Sequence, residues 1–317
     1  MINHNANRKS EPTMNTAKDW ANASLKNISQ VILIENPLSG LLILAGIAVS
    51  SWELGLIALI AALIATATAQ FLKADPELTR HGLLGFNSIL TGMAMYLFMT
   101  GPNKWWIALV GAFIAVLITA AFMEFFKEST LPVLTMPFIL LTWFMLMMAY
   151  RFDRFILTND LVPQFLSHEK LDQIAIPDWP EALINGYGQI FFIEQNLSCI
   201  LILAAVFVSS WRSGLFVIGA NLVALATAYF FGADHVLIGK GLYGYNAILA
   251  VLAISVALPS EKRNRPVFSG LIAAILSVLI TASISAWMQP YGLPALTLPF
   301  VLTTWLMLAA KRVLPEL

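Results

Sequence analysis

Residues 30–56 read QVILIENPLSGLLILAGIAVSSWELGL, and residues 189–215 read QIFFIEQNLSCILILAAVFVSSWRSGL. Shifted by 159 positions, 30–94 and 189–253 share 32 identities in 65 positions without a gap. This internal duplication constrains the fold more than any other feature, because each copy must build the same substructure. In this register Trp52 pairs with Trp211, Ala74-Asp75 with Ala233-Asp234, and GLLGFN at 82–87 with GLYGYN at 241–246. A second pair, LPVLTMPF at 131–138 and LPALTLPF at 293–300, aligns after a three-residue slip.

The duplicated unit is apolar. Hydrophobic residues make up 59% of the chain and charged ones 11%, against about a quarter charged in soluble domains. Hydropathy divides into ten stretches, roughly 37–50, 54–72, 83–99, 105–124, 132–150, 197–210, 215–231, 242–258, 267–288 and 294–310. A full span needs about 20 apolar residues, so 37–50 and 197–210 are short. Each follows another apolar patch, at 28–37 or 187–196, too short to cross and too apolar for an ordinary loop. Such a patch predicts a re-entrant half-helix.

Five spans per copy is an odd number, so the second copy enters the membrane from the opposite side. Lysine and arginine collect on the cytoplasmic side. With a cytoplasmic N-terminus, thirteen of the 18 basic residues fall inside and five outside. Three of those five lie in the long 151–188 connection, where the rule weakens. The expected organisation is a polar tail and amphipathic lead-in at 1–27, a first inverted repeat at 28–150, an extracytoplasmic connection at 151–183, and a second repeat at 184–317. Both termini are then cytoplasmic. Inverted repeats with broken helices are the transporter pattern, with the path at the repeat interface near mid-membrane.

The octets supply the breaks. In hydrocarbon, irregular backbone survives only when buried in protein or lining a wet cavity. Pro132 and Pro137, like Pro294 and Pro299, each remove an amide donor and free carbonyls. Thr135 and Thr297 place a hydroxyl in each break. A single octet reads equally well as proline in a helix's first turn, with threonine bonding its own backbone; two symmetry-related octets favour a shared polar passage.

Other classes fit poorly. Net charge is zero, which excludes the basic face of a nucleic-acid binder. A lone cysteine, Cys199, offers neither a disulfide framework nor a thiolate site. The four histidines show no ligand spacing, so no metal or cofactor is expected. No nucleophile–base pair or phosphate loop points to an enzyme, and the first 18 residues lack the apolar core of a signal peptide.

The paired octets, GLLGFN with GLYGYN, and SQVILIENP with GQIFFIEQN resemble the urea transporter family over nearly all of 28–310. The resemblance implies an all-α integral membrane fold of ten transmembrane helices plus two re-entrant half-helices, around one pore per subunit. It further implies homotrimers in the lipid bilayer that pass urea down its gradient without ion coupling. The compact chain points to a bacterial inner membrane.

By the same resemblance, Gln30 and Gln189 bond urea at the two mouths; plain helix capping is the competing reading. Val31 and Ile190 match pore-wall positions. Leu33 and Phe192 match slot positions, faced by Phe86 with Leu90 and by Tyr245 with Leu249. Leu33 departs from the family's phenylalanine, and Tyr245 adds a hydroxyl that must find a partner. Thr135 and Thr297 are expected to face each other at the narrow centre, and Asn87 and Asn246 to bond re-entrant backbone. Glycines 82, 85, 241 and 244 read as packing residues. Acids in a membrane are functional suspects, so Glu35 and Glu194 carry an alternative reading, a proton-coupled transporter of urea or short-chain amides. Their simpler reading is a carboxylate near a helix N-terminus, favoured there by the dipole.

Overall fold

The computed structural model describes residues 16–129, 131–168, 171–173, 177–257 and 266–314. Most of the expected polar tail, and the basic residues Lys262, Arg263 and Arg265, lie outside the described residues.

The first half begins with α1 (Ala17–Ser29), opened by a capping box between Thr16 and Asp19. A 3₁₀ turn at Gln30–Ile32 follows, then α2 (Pro37–Ser50), α3 (Trp52–Phe71) and the short α4 (Pro76–Arg80). The half ends with α5 (Phe86–Phe98), α6 (Lys104–Phe125) and α7 (Met136–Met148). The second half repeats the series as α8 (Trp179–Gly188), a 3₁₀ turn at Gln189–Phe191, α9 (Asn196–Ser209), α10 (Trp211–Phe230) and α11 (His235–Gly239). It closes with α12 (Gly244–Leu252, extended by a π turn to Ala257), α13 (Pro266–Met288) and α14 (Leu298–Val313). Equivalent caps recur in both halves. Ser51 and Ser210 cap α3 and α10, and Asp75 and Asp234 cap α4 and α11. The correspondence therefore starts upstream of 28 and 184, because α1 and α8 are equivalent.

Four described helices, α3, α6, α10 and α13, are long and apolar enough to cross a bilayer. The count rises to six if each bent pair is one span: 17–32 with 37–50, and 179–191 with 196–209, each bent by 74°. Both bends fall inside the apolar patches at 28–37 and 187–196, which were expected to form half-helices and instead hold a helix end, a 3₁₀ turn and the break after it. α5, α7 and α12 are shorter apolar helices. Large apolar side chains such as Leu63, Phe113, Leu117 and Leu222 point outward, as a hydrocarbon surrounding requires. Inward, small residues let the helices approach: Ala58, Ala61, Ala62, Ala108, Ala112, Ala220 and Ala224 are all buried.

The two halves share one core rather than forming two. A single buried cluster runs from Ile28 to Met307, and α2 packs along α9 across the repeat boundary. There Ser39 Oγ donates to Ala205 O at 2.7 Å, and a Cβ on Gly46 would lie 3.1 Å from Ser198 O. A two-residue antiparallel ladder, Met99–Thr100 with Ile156–Leu157, ties the long connection to the end of α5.

Eight of the ten described positive-φ residues form symmetry pairs: Leu33 (58°) with Phe192 (60°), Lys73 (54°) with Gly232 (70°), Gly82 (71°) with Gly241 (74°), and Leu134 (50°) with Leu296 (52°). A bulky residue in the left-handed region is strained and persists only where its surroundings impose it. Leu33 and Phe192 end the 3₁₀ turns, and Leu134 and Leu296 sit inside the octets. The strain thus marks both kinds of break. Gly82 is required twice over, by its φ and because a Cβ would meet Asn27 N at 2.5 Å.

Candidate functional site

The octets converge at the centre. Pro132 and Pro294 cannot continue a helix backward, so α7 and α14 start only after the breaks, with Thr135 and Thr297 as their N-cap residues. Those two hydroxyls meet at 2.7 Å and are buried, 2% and 4% exposed. Neither bonds back to its own backbone among the described residues. Two helix N-termini therefore point at one spot.

The carbonyls freed by the breaks are largely claimed by side chains. Asn87 Nδ2 donates to Leu134 O at 3.3 Å while its Oδ1 accepts from Phe138 N at 3.4 Å. Asn246 repeats this with Leu296 O and Phe300 N, each at 3.3 Å. The asparagines thus pin the octets rather than the re-entrant backbone expected of them. A further exchange joins the halves: Trp143 Nε1 donates to Pro294 O at 2.9 Å, and Trp305 Nε1 to Pro132 O at 2.8 Å. Each indole holds the other repeat's break. Sequence reasoning missed these tryptophans, although Thr-Trp at 142–143 recurs at 304–305 in the octet register.

A cavity of about 900 Å³ opens in the second half and reaches Thr297. Gln189, Ile190, Phe192 and Tyr245 border it, and Leu249, buried in the core, does not. Phe98 and Phe138 of the first half complete its aromatic wall, with ring centroids 5.7 and 6.4 Å from Phe192. Both were overlooked in the sequence. Of the first-half candidates, Val31, Phe86, Leu90 and Thr135 are buried, and Gln30 and Leu33 are half-buried; none borders this cavity.

The glutamines occupy equivalent places. Each is the C-cap residue of its helix, α1 or α8. Gln30 Nε2 donates to His81 O at 2.9 Å, and Gln189 Nε2 to Lys240 O at 3.0 Å. With the amide nitrogen engaged on a fixed carbonyl, the side-chain oxygen is oriented as an acceptor.

The acids differ. Glu35 bonds Lys26 Nζ at 2.6 Å and His81 Nδ1 at 2.7 Å. His81 Nε2 also meets Glu77 at 2.9 Å, and Arg80 pairs with Glu77 at 3.0 Å. The carboxylates of Glu35 and Glu77 hold the His81 pKa above its ordinary value. Glu194 accepts from Gln189 Nε2 at 3.0 Å. Asn36, not Glu35, caps α2, accepting from Leu38 N and Ser39 N, so the dipole reading of Glu35 gives way to an ion pair. Among the described residues no group of three or more His, Cys, Asp or Glu side chains is placed to hold a metal ion.

Comparison with known proteins gives the same direction. The urea transporter family model matches residues 21–312. Urea transporter 1 of Ovis aries is 27% identical over 312 residues, covering 95% of this chain and 78% of the relative. The Rattus norvegicus protein is 27% identical over 305 residues and the Mus musculus protein 26% over 305, with the same coverage. Two copies of one apolar unit, joined at paired proline breaks and matched by one family model almost end to end, make this chain a member of the urea transporter family.

Proposed function

We propose that the protein is a passive channel for urea, with a pore at the repeat interface of each subunit. The full arrangement is ten membrane helices and two re-entrant half-helices, assembled as a trimer in a bacterial inner membrane with both termini cytoplasmic. The contact that carries this reading is Thr135 to Thr297, 2.7 Å apart at the junction of the two breaks.

The mechanism follows from what urea loses on entry. Its faces are apolar enough to slide between Phe192, Tyr245 and Phe138, but its amide hydrogens need acceptors once water is left behind. An amide buried without a partner costs about 2–7 kcal/mol. Gln189 Oε1 and Gln30 Oε1 receive it at the mouths, and the threonine hydroxyls receive it at the centre. At 2.7 Å the hydroxyls leave no room between them, so urea passes beside the pair or parts it. The convergent N-termini of α7 and α14 place partial positive charge there, which repels cations as half-helix dipoles do in other pores. A neutral diamide meets no such barrier.

The proton-coupled alternative needs a carboxylate free to load and release a proton. Glu35 is engaged by two basic partners, so proton coupling would have to run through Glu194, which borders the cavity and accepts from Gln189 Nε2. Purified protein in liposomes decides the matter, by flux of urea, water, ammonia and glycerol with and without an imposed pH gradient. Urea flux that only dissipates its own gradient is expected; accumulation driven by protons would overturn the channel reading. Thr135→Val and Thr297→Val should each lower urea flux about two- to twentyfold, one intramembrane hydrogen bond's worth.

A further inference from the structure

The two breaks differ in how many carbonyl lone pairs stay uncommitted, and the difference traces to one hydroxyl. A carbonyl oxygen has two lone pairs. Leu134 O in the first break accepts from Asn87 Nδ2 alone among the described residues, at 3.3 Å. Leu296 O, its counterpart, accepts from Asn246 Nδ2 at 3.3 Å and also from Tyr245 Oη at 2.6 Å. The residue equivalent to Tyr245 is Phe86, which has no hydroxyl to give. Tyr245 and Leu296 both border the 900 Å³ cavity, so this saturated carbonyl stands where solute arrives.

Resting on the urea reading above, we infer that Tyr245 is a specificity-determining residue that acts by occupying Leu296 O. The phenol takes up one lone pair of a strong carbonyl acceptor and leaves its own oxygen, a weaker acceptor, in its place. Leu134 O, by contrast, keeps its second lone pair uncommitted among the described residues. The second-half side is left with a weaker acceptor than two identical repeats would give it, and the passage discriminates less between amides with many and few N–H groups. The aromatic wall is kept, because the ring of Tyr245 stays where a phenylalanine would lie.

The test compares wild type, Tyr245→Phe and Phe86→Tyr in liposomes, with urea (four N–H) and 1,3-dimethylurea (two N–H) as solutes. Tyr245→Phe should lower the urea half-saturation concentration about three- to tenfold, the equivalent of one net hydrogen bond. The urea-to-dimethylurea permeability ratio should rise with it. Phe86→Tyr should place a cap on Leu134 O and shift both quantities the other way. A purely structural role for the hydroxyl would change expression or melting temperature and leave the ratio alone. An unchanged ratio in a well-folded Tyr245→Phe protein that conducts urea overturns the inference and leaves the channel reading standing. Absence of urea flux in wild type overturns both. If Tyr245→Phe does not fold, Phe86→Tyr decides alone: a fall in the ratio supports the cap, and no change sinks it.

Discussion

The two halves were built from one unit, yet their bends are held in different ways. At the first, α1, α4 and the bend before α2 are joined by a charged cluster of Lys26, Glu35, Glu77, Arg80 and His81. At the second, the equivalent positions of four of these residues carry Asn185, Val236, Gly239 and Lys240. Asn185 donates to Gly239 O at 3.0 Å, and Gln189 donates to Glu194 at 3.0 Å. Beside the second bend lies a wide cavity, bordered by Asp160, Leu161 and Gln164 of the long connection. Ion pairs were exchanged for neutral hydrogen bonds and an overlying loop without changing the 74° bend. The bend is therefore set by the backbone of the break, and its outer fastening is free to vary.

The comparison can be broken first at the asparagines. Asn87→Leu orphans Leu134 O and Phe138 N, both buried, and should destabilise by about 2–4 kcal/mol. Asn246→Leu orphans Phe300 N but leaves Leu296 O its bond from Tyr245, so its loss should be about half as large. Thermal unfolding in detergent orders the two variants. Equal losses would mean that the tyrosine bond does not substitute for the asparagine.

The tryptophan exchange is the symmetric control. Trp143→Phe and Trp305→Phe each remove one N–H from a carbonyl at nearly the same distance, 2.9 and 2.8 Å. Both should lower stability by about 1 kcal/mol, and a twofold disparity would show that the halves lean on each other unequally.

A smaller difference is expected at the acids. Glu35→Gln loosens Lys26 and His81 together, whereas Glu194→Gln weakens a single amide contact. These groups are substantially exposed, so the gap should be no more than about 1 kcal/mol, and salt should narrow it. Titration gives the smallest signal. The folded-state pKa of His81 is raised, so its contribution is complete below the ordinary value of 6.5 and fades as pH rises through the folded value. Wild type should lose a little melting temperature as pH rises above the ordinary histidine value, relative to His81→Gln, whose profile should lack that step. Parallel profiles would remove His81 from the fastening.

Much of this was open to reading without coordinates. The 159-residue register, the odd number of apolar stretches in each copy and the paired octets follow from residue identity, because a duplicated apolar unit with prolines at fixed places restricts the backbone locally. That local restriction located the breaks at 28–37, 131–138, 187–196 and 293–300, and it singled out Thr135 and Thr297. It could not show where the carbonyls beside those breaks find donors. Asn87 lies 47 residues from Leu134 and Trp143 lies 151 from Pro294, so those pairings exist only once the helices have packed. The ion pairs of Glu35 likewise depend on α1 and α4 closing over the bend. A hydrogen bond between distant residues is a property of the packed molecule, and composition and spacing carry no trace of it. The chain by itself determined that there are two like halves with matched interruptions; tertiary packing alone decided which oxygens are taken and which are left for a solute.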